Sequence, residues 1–494
     1  MKNNMESKSV TMSILDLEPK EVFYYFNEIS KIPRPSYKEK AISDYLVAFA
    51  KEHNLEWYQD DIYNVIMIKE ATPGYENKEP IILQGHMDMV CEKTSDCAKD
   101  MEKEGLDLVV EGDYLSAVGT TLGGDDGIAV AFALALLSDE TLKHPRLEFI
   151  CTVSEEVGMD GARDLDVTPI KGKLLLNLDS EKEGEVLASC AGGGTARITC
   201  PVERTDEGLE DFCPIAVEVV GGKGGHSGDE IDKGRGNATV LLSRVLRRLD
   251  TKGIDFRISE ITGGSKDNAI PREAGAKLAV KRNDGEKVKA LVEEVSREIS
   301  AEFSKTDAEL KVLVKDGKTG AIPMTKESTK KLLLLISSLP NGIRRMSRDI
   351  EGLVETSLNL GITYTEEGSV VLGFSVRSSV ASSYAALTEK LRFVAEGLGC
   401  TVDMHGEYPA WEFKKESPLR DTLQRIYKDM FGKDLEVRAI HAGLECGLLS
   451  GKIKDLDAVS MGPDMQDIHT PDERLSISST ARTYEFVRRI IEEL

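Results

Sequence analysis

Five segments carry imidazoles or carboxylates where strongly apolar runs end. In IILQGHMDMV, His86 and Asp88 stand two apart on an expected strand and so face the same way. A metal-bound imidazole usually gives its second N–H to a carboxylate, but a core histidine beside a surface aspartate would read the same. In TTLGGDDGIAVAFALAL, Gly123 and Gly124 allow a tight loop before Asp125-Asp126-Gly127 opens an apolar helix. An aspartate there could simply cap the helix; the alternative is that Asp125 bridges two cations while Asp126 caps. In FICTVSEEVGMDGA, the adjacent Glu155 and Glu156 close a very apolar run and point in different directions, so one can ligate a cation while the other faces substrate. LLLNLDSE ends another such run at Asp179, and SMGPDMQDIHTPDERL carries His469 after a loop with Gly462 and Pro463. Carboxylates at buried strand ends are costly to desolvate unless something compensates.

Taken together, a histidine, a bridging aspartate, a glutamate, an aspartate and a second histidine make a nitrogen and oxygen ligand set for two divalent ions. Without thiolate, that set suits zinc and also permits manganese or cobalt. Such ion pairs, roughly 3.5–4 Å apart, activate a bridging water and polarise a scissile carbonyl. A carboxylate beside the water can serve as general base.

The elements that must position these residues read as follows. Residues 18–54 suggest two helices separated by the proline-containing ISKIPRPS. VIMIKE, PIILQGHMDMV, LEFICTVSEE and KLLLNLDS read as strands, and GIAVAFALALLSD and the stretch from Gly158 to Leu165 as helices. Continuous apolar runs bounded by turns suit strands buried on both faces of an α/β sheet. From about residue 195 the texture changes to amphipathic strands alternating with charged helices. That pattern resumes after Thr306, as in a second α+β module built of two related halves. From about residue 409 the α/β texture returns, with HAGLECGLLSG read as a loop between the strand LEVRAI and the strand DAVSMGP. The expected organisation is an α/β catalytic domain made of residues 1–194 and 409–494, with 195–408 inserted as a lid.

A chain of 494 residues is long enough for more than one core. Its net charge of -23 disfavours nucleic acid and anionic membranes as partners. The first residues lack an apolar core of signal-peptide length and no stretch approaches the ~20 apolar residues of a membrane span, so a cytoplasmic protein is expected. The eight cysteines are scattered with no CxxC pair, as expected of reduced thiols. GGKGGHSG is glycine-rich but lacks the βαβ setting of a dinucleotide site.

The runs GHMDMV, LGGDDGIAVA, SEEVGMDGA, LNLDSE, GGHSGDEIDKGRGNA, DNAIPREA, HAGLECGLL and GPDMQDIHTPDERL resemble, in order, the aminoacyl-histidine (Xaa-His) dipeptidase branch of the aminoacylase/carboxypeptidase di-zinc metallopeptidases. The resemblance covers nearly the whole chain. It implies a catalytic domain with a central mixed, mostly parallel sheet flanked by helices, and an inserted α+β lid. It implies that His86 and Asp179 hold one metal, Glu156 and His469 the other, and Asp125 bridges them, with Asp126 as the alternative bridge where relatives often have Asp-Asn-Gly. Asp88 would orient His86. Glu155 would be general base and then acid, and His226 would stabilise the oxyanion. Asn268, Arg377, Gly443 and Glu445 would contact substrate, an arginine suiting a terminal carboxylate. His53, His144, His405 and His441 read as structural or exposed, with His441 also a candidate pocket residue. The activity implied is hydrolysis of short peptides, dipeptides such as Xaa-His above all. A tripeptidase, carboxypeptidase or N-acyl amino acid deacylase is the first rival, and a non-catalytic binding relative the second. Relatives that dimerise borrow the lid histidine from a partner, so the resemblance allows a homodimer, or a two-half lid that supplies His226 within one chain.

Overall fold

The most apolar stretch of the chain becomes the helix Gly124–Ser138, buried along its whole length to Leu137. A helix apolar on every face must be covered on every side. In the computed structural model, which describes residues 13–318 and 321–494, that cover is the helix Lys20–Ser30 and a sheet centred on the strand Ile81–His86. The first dozen residues, read above as lacking a leader, lie outside the described residues.

The chain divides into two units. The first runs to Ser189 and adds Phe413–Ala439 and Leu444–Leu494. Its sheet follows the order Glu56–Gln59, Val65–Lys69, Leu147–Thr152, Ile81–His86, Leu174–Asn177, Asp457–Ser460, Glu185–Cys190 and Glu436–Ile440. The strands Leu147–Thr152, Ile81–His86, Leu174–Asn177 and Asp457–Ser460 run parallel. The antiparallel pairs lie on either side of them. Both faces of Ile81–His86 and Leu147–Thr152 are buried, which is why neither shows the alternation of apolar and polar residues of a half-exposed strand. A smaller sheet pairs Met465–Gln466 with Arg474–Ser476, so that residues 467–473, with His469, form a hairpin tip.

The second unit is Cys190–Glu412 with Ile440–Gly443. Its sheet is antiparallel in every pairing recorded for it and follows the order Lys311–Asp316, Phe212–Val220, Ala274–Lys281, Phe256–Gly263, Val354–Glu366, Ser369–Ser378, Gly192–Pro201 and Thr401–Tyr408. Two βαββαβ halves account for this order. One runs from Phe212 to Asp316 with helices Ala238–Thr251 and Gly285–Glu302. The other begins at Gly192–Pro201, is interrupted by the first half, and resumes with helix Lys326–Ser338, the strands Val354–Glu366 and Ser369–Ser378, helix Ala381–Gly397 and the edge strand, with a short extra strand, Gly342–Met346, paired to Val354–Glu366. Each half places its strands in the spatial order 4-1-3-2, and the second strands of the halves meet at Gly263 and Thr363.

Each unit has its own apolar core. No disulfide joins any of the eight cysteines, all of which are among the described residues. Among the described residues no helix is long and apolar enough to cross a membrane. Two local readings differ. The expected loop HAGLECGLLSG forms a helix from Glu445 to Lys452, because Cys446, Leu448 and Leu449 are buried. The long strand Val354–Glu366 escaped notice because its buried positions include Glu355, Thr356, Ser357 and Asn359, which break the apolar pattern.

Candidate metal centre

Three of the four parallel strands of the first unit deliver a polar residue at or just past the carboxyl end, where open α/β sheets bind ligands. His86 is the last residue of Ile81–His86. After Leu147–Thr152 the chain turns at Ser154, with φ 53°, and presents Glu155 and Glu156. Asp179 follows Leu174–Asn177 two residues on. His469 comes from the hairpin beyond Asp457–Ser460. Asp125 and Asp126 open the buried helix in non-helical conformation, joined by a cis peptide bond.

The structure brings these side chains together. Asp125 lies between the two histidines: Oδ1 is 3.1 Å from His86 Nε2 and Oδ2 is 3.0 Å from His469 Nε2. Glu156 Oε2 is also 3.0 Å from His469 Nε2. Asp179 Oδ1 lies 3.8 Å and Glu155 Oε2 4.0 Å from His86 Nε2. Asp126 turns the other way, and its Oδ2 accepts the His86 backbone N–H at 3.1 Å. Asp88 is fully buried and works on both sides: Oδ1 is 3.4 Å from His86 Nδ1 and accepts the Glu155 N–H at 3.1 Å. Its Oδ2 accepts Ser36 Oγ–H at 2.8 Å and the Glu156 N–H at 3.3 Å.

Carboxylates outnumber imidazoles in this cluster, and its electrostatics follow. Burial pushes Asp126 and Asp179 well above the carboxylate range, and the neighbouring aspartates add to it. Burial and the carboxylates of Glu445, Glu156 and Asp125 push Glu155 up to about 8. Burial opposes charge on Asp125, yet the hydrogen bonds to His469 and His86 outweigh it and hold that carboxyl well below its usual value. Hydrogen bonds to Asp125 and Glu156 lift His469 to about 10.

The donor set fits divalent cations. Ligand atoms of His86, Asp125 and Glu156 lie within 4.8 Å of one another, as do those of His86, Asp126 and Asp179. Buried oxygens of Glu156 (Oε1) and Asp126 (Oδ1) find no hydrogen-bond partner among the described residues, a state that native proteins rarely leave unexplained. Imidazole nitrogen and carboxylate oxygen with no thiolate is a donor set open to several divalent metals.

Some neighbours had no signal in the sequence. Arg34, Glu473 and Gln84 sit buried around the cluster in segments that gave no reason to single them out. Glu445, read as a substrate contact, is fully buried and accepts hydrogen bonds from Gln84 and Thr152; burial pushes it up to about 7.

The second unit gathers its own polar group. His226 lies on a short strand paired to Ala269–Ile270, with Nδ1 3.0 Å from Asp229 Oδ2. Arg377 is buried on the strand Ser369–Ser378, and its Nη1 donates to the Tyr408 hydroxyl at 3.0 Å. Its Nε finds no hydrogen-bond partner among the described residues. His441 is buried against Ser357 Oγ at 2.7 Å, and burial with the nearby Arg377 charge lowers it to about 3. Asn268 is exposed beside this strand pair, where its carbonyl accepts the Ser227 N–H at 2.8 Å, and Gly443 is half-buried.

A mixed sheet whose parallel strands gather imidazoles and carboxylates at their carboxyl ends is a setting suited to metal-assisted hydrolysis. Residues 82–493 match peptidase family M20/M25/M40, and the chain belongs to that family. It is 35% identical over 480 residues, 97% of this chain and 98% of the other, to the cytosol non-specific dipeptidase of Escherichia coli (strain K12). It superposes on aminoacylhistidine dipeptidase from Vibrio alginolyticus with a TM-score of 0.91 and 35% identity, covering 98% of each chain. Aminopeptidase PepT from Bacillus cereus shares the fold at a TM-score of 0.55 and 17% identity, covering 97% of this chain and 99% of that one.

Proposed function

We propose that this chain is a cytoplasmic, metal-dependent dipeptidase that cleaves Xaa-His and other dipeptides. One observation carries the reading: Asp125 turns one oxygen to each of two histidines, with Glu155 beside them and less engaged than its neighbour. The names of two relatives that match nearly end to end support dipeptides as the substrate class.

His86 and Asp179 would hold one divalent cation, His469 and Glu156 the second, and Asp125 would be shared. Bound cations there would supply Lewis-acid polarisation and make water acidic enough to ionise near neutral pH. Glu155 takes the proton of the attacking water and returns it to the leaving amine. Glu156 cannot share that task while its Oε2 is engaged with His469. Asp88 fixes the His86 tautomer and holds the Glu155 and Glu156 backbone. From the second unit, His226 is assigned to the oxyanion, Arg377 to the carboxylate of the dipeptide, and Asn268 and Gly443 to its backbone. Glu445, bonded to Gln84 and Thr152, belongs to the scaffold beneath the cluster.

The test is a substrate panel of β-Ala-His, Gly-His, Leu-Leu, a tripeptide and N-acetyl amino acids. It is run on chelated protein with and without zinc, manganese or cobalt. Metal-dependent cleavage of the dipeptides alone is expected. Cleavage of the tripeptide or acetylated substrates instead would move the chain to another amide hydrolase of the family. Turnover in the chelated protein would overturn the metal reading.

A further inference from the structure

The opening of the buried helix needs a partner for its backbone N–H groups, because the first turn of any helix leaves them unsatisfied. No residue at the helix start caps it by side chain. The partner comes instead from Glu473, four residues past His469. Its Oε2 accepts the N–H groups of Leu122 and Gly123 at 2.8 and 3.0 Å. Its Oε1 accepts those of Gly124 and Asp125 at 2.8 and 3.3 Å. One carboxylate thus grips the loop that ends in Asp125 and belongs to the hairpin that carries His469.

A second brace acts from the opposite side. Arg34 is almost fully buried. Its Nη2 donates to the Gly123 carbonyl at 2.6 Å, and its Nη1 to the carbonyls of Met87 and Asp88 at 3.1 and 3.2 Å. The guanidinium therefore ties the same loop to the two residues that follow His86. Room for it exists only because residues 123 and 127 are glycines: a Cβ at either would come within 2.5 or 2.6 Å of Arg34 Nη2.

We propose that Glu473 and Arg34 are positioning residues that set the distance of Asp125 from His469 and from His86, and so tune cation affinity at the centre. The inference rests on the metal reading above. Neither side chain is assigned to ligate a cation or touch substrate; Glu473 acts through the Leu122–Asp125 backbone, and Arg34 through the carbonyls of Gly123, Met87 and Asp88. Outer partners that orient metal ligands typically change metal affinity or activity by about 10- to 100-fold when lost.

The experiment compares Glu473→Gln, Arg34→Lys and a control, Glu148→Gln, in the full chain. Glu148 is also fully buried and also accepts backbone N–H groups, those of Lys171 and Gly172, along with Arg146 Nε. It lies on the strand Leu147–Thr152, one residue from its amino end, far from the carboxyl ends that carry the cluster. Zinc affinity is measured by competition with a chromophoric chelator, the absorption spectrum is recorded with cobalt bound, and melting of the chelated protein is followed alongside. Both brace variants are expected to bind zinc about 10- to 100-fold more weakly, with altered cobalt bands. Glu148→Gln is expected to melt earlier yet keep wild-type affinity and spectrum. Brace variants with wild-type affinity and spectrum would overturn the proposal, as would a control that weakens binding equally. If one brace variant does not fold, the other carries the same comparison. A wild-type chain that binds no zinc, manganese or cobalt would sink the metal reading itself, a failure distinct from that of the braces.

Discussion

Glu155 and Glu156 are chemically identical neighbours, and their surroundings give them different work. Glu156 is committed to His469 at 3.0 Å, while Glu155 comes no nearer than 4.0 Å to His86 and sits where burial pushes its carboxyl up to about 8. A carboxylate beside the cluster that is not itself committed to a histidine is what a general base requires. Glu155→Gln should therefore keep its bound metal and lose turnover by about 10²- to 10⁴-fold. Metal analysis beside steady-state rates checks this, and a variant that lost metal in proportion to activity would reassign Glu155 to the ligands. The pair was legible in the sequence as acidic residues ending an apolar run, but which one would ligate came only from the family resemblance, since in the fold it depends on a histidine more than 300 positions away. His441 offers a second residue-level expectation. Buried beside Arg377, with Asp229 and His226 also near, it stays neutral down to about pH 3, whereas in an unfolded chain it protonates near 6.5. Between those values the unfolded state binds the extra proton, so this contribution is fully present above about pH 6.5 and is lost as pH falls towards 3. His441→Gln should flatten the fall of urea-measured stability between pH 7 and 4 by an amount on the order of a few kcal/mol. An unchanged slope would show that His441 titrates normally.

At the scale of elements, the cluster depends on how closely the helix Gly124–Ser138 approaches the strand Ile81–His86. Gly85 sets that approach: a Cβ there would fall 2.5 Å from Ala129 Cβ and 2.5 Å from Asp126 Oδ2. Gly85→Ala should push helix and strand apart, cost about 1–3 kcal/mol of overpacking and weaken zinc binding. Chemical denaturation and metal titration measure the two effects, and a stable variant with intact affinity would show that the contact is soft. The strands and the helix were readable because burial on both faces leaves an unmistakable apolar run. What positions His469 was not readable. Its hairpin is built from strands of two and three residues, too short to show a period. The braces were equally silent, because Arg34 and Glu473 look like ordinary surface charges until their partners, all backbone groups, are known. Thr401–Tyr408 escaped for a different reason: as an edge strand it alternates half-buried and exposed positions and carries charge.

At the scale of the whole molecule, the change of texture near residues 195 and 409 was visible because two-sided burial gives way to amphipathic strands and then returns. The nesting of one βαββαβ half inside another was not, since the interruption separates Gly192–Pro201 from its own helix by the entire first half. The short return of Ile440–Gly443 to the second unit likewise has no compositional mark. This division has a thermodynamic consequence. All the proposed metal ligands and both braces belong to the first unit, and the two cores share no residue. A ligand that binds only the folded form stabilises it by about 2.7 kcal/mol at a hundredfold excess over its Kd. Zinc should therefore slow hydrogen exchange at residues 82–90, 122–128, 153–157, 177–181 and 465–475, with the helix Gly124–Ser138 following because its first N–H groups are held by Glu473. The sheet of the second unit should exchange as it does in chelated protein. Exchange mass spectrometry with and without zinc, in the absence of peptide, reads both halves of this expectation at once. Equal protection of Phe256–Gly263 and Val354–Glu366 would mean that metal binding is felt across the whole chain. Protection confined to the second unit would place the metal somewhere other than the Asp125 cluster.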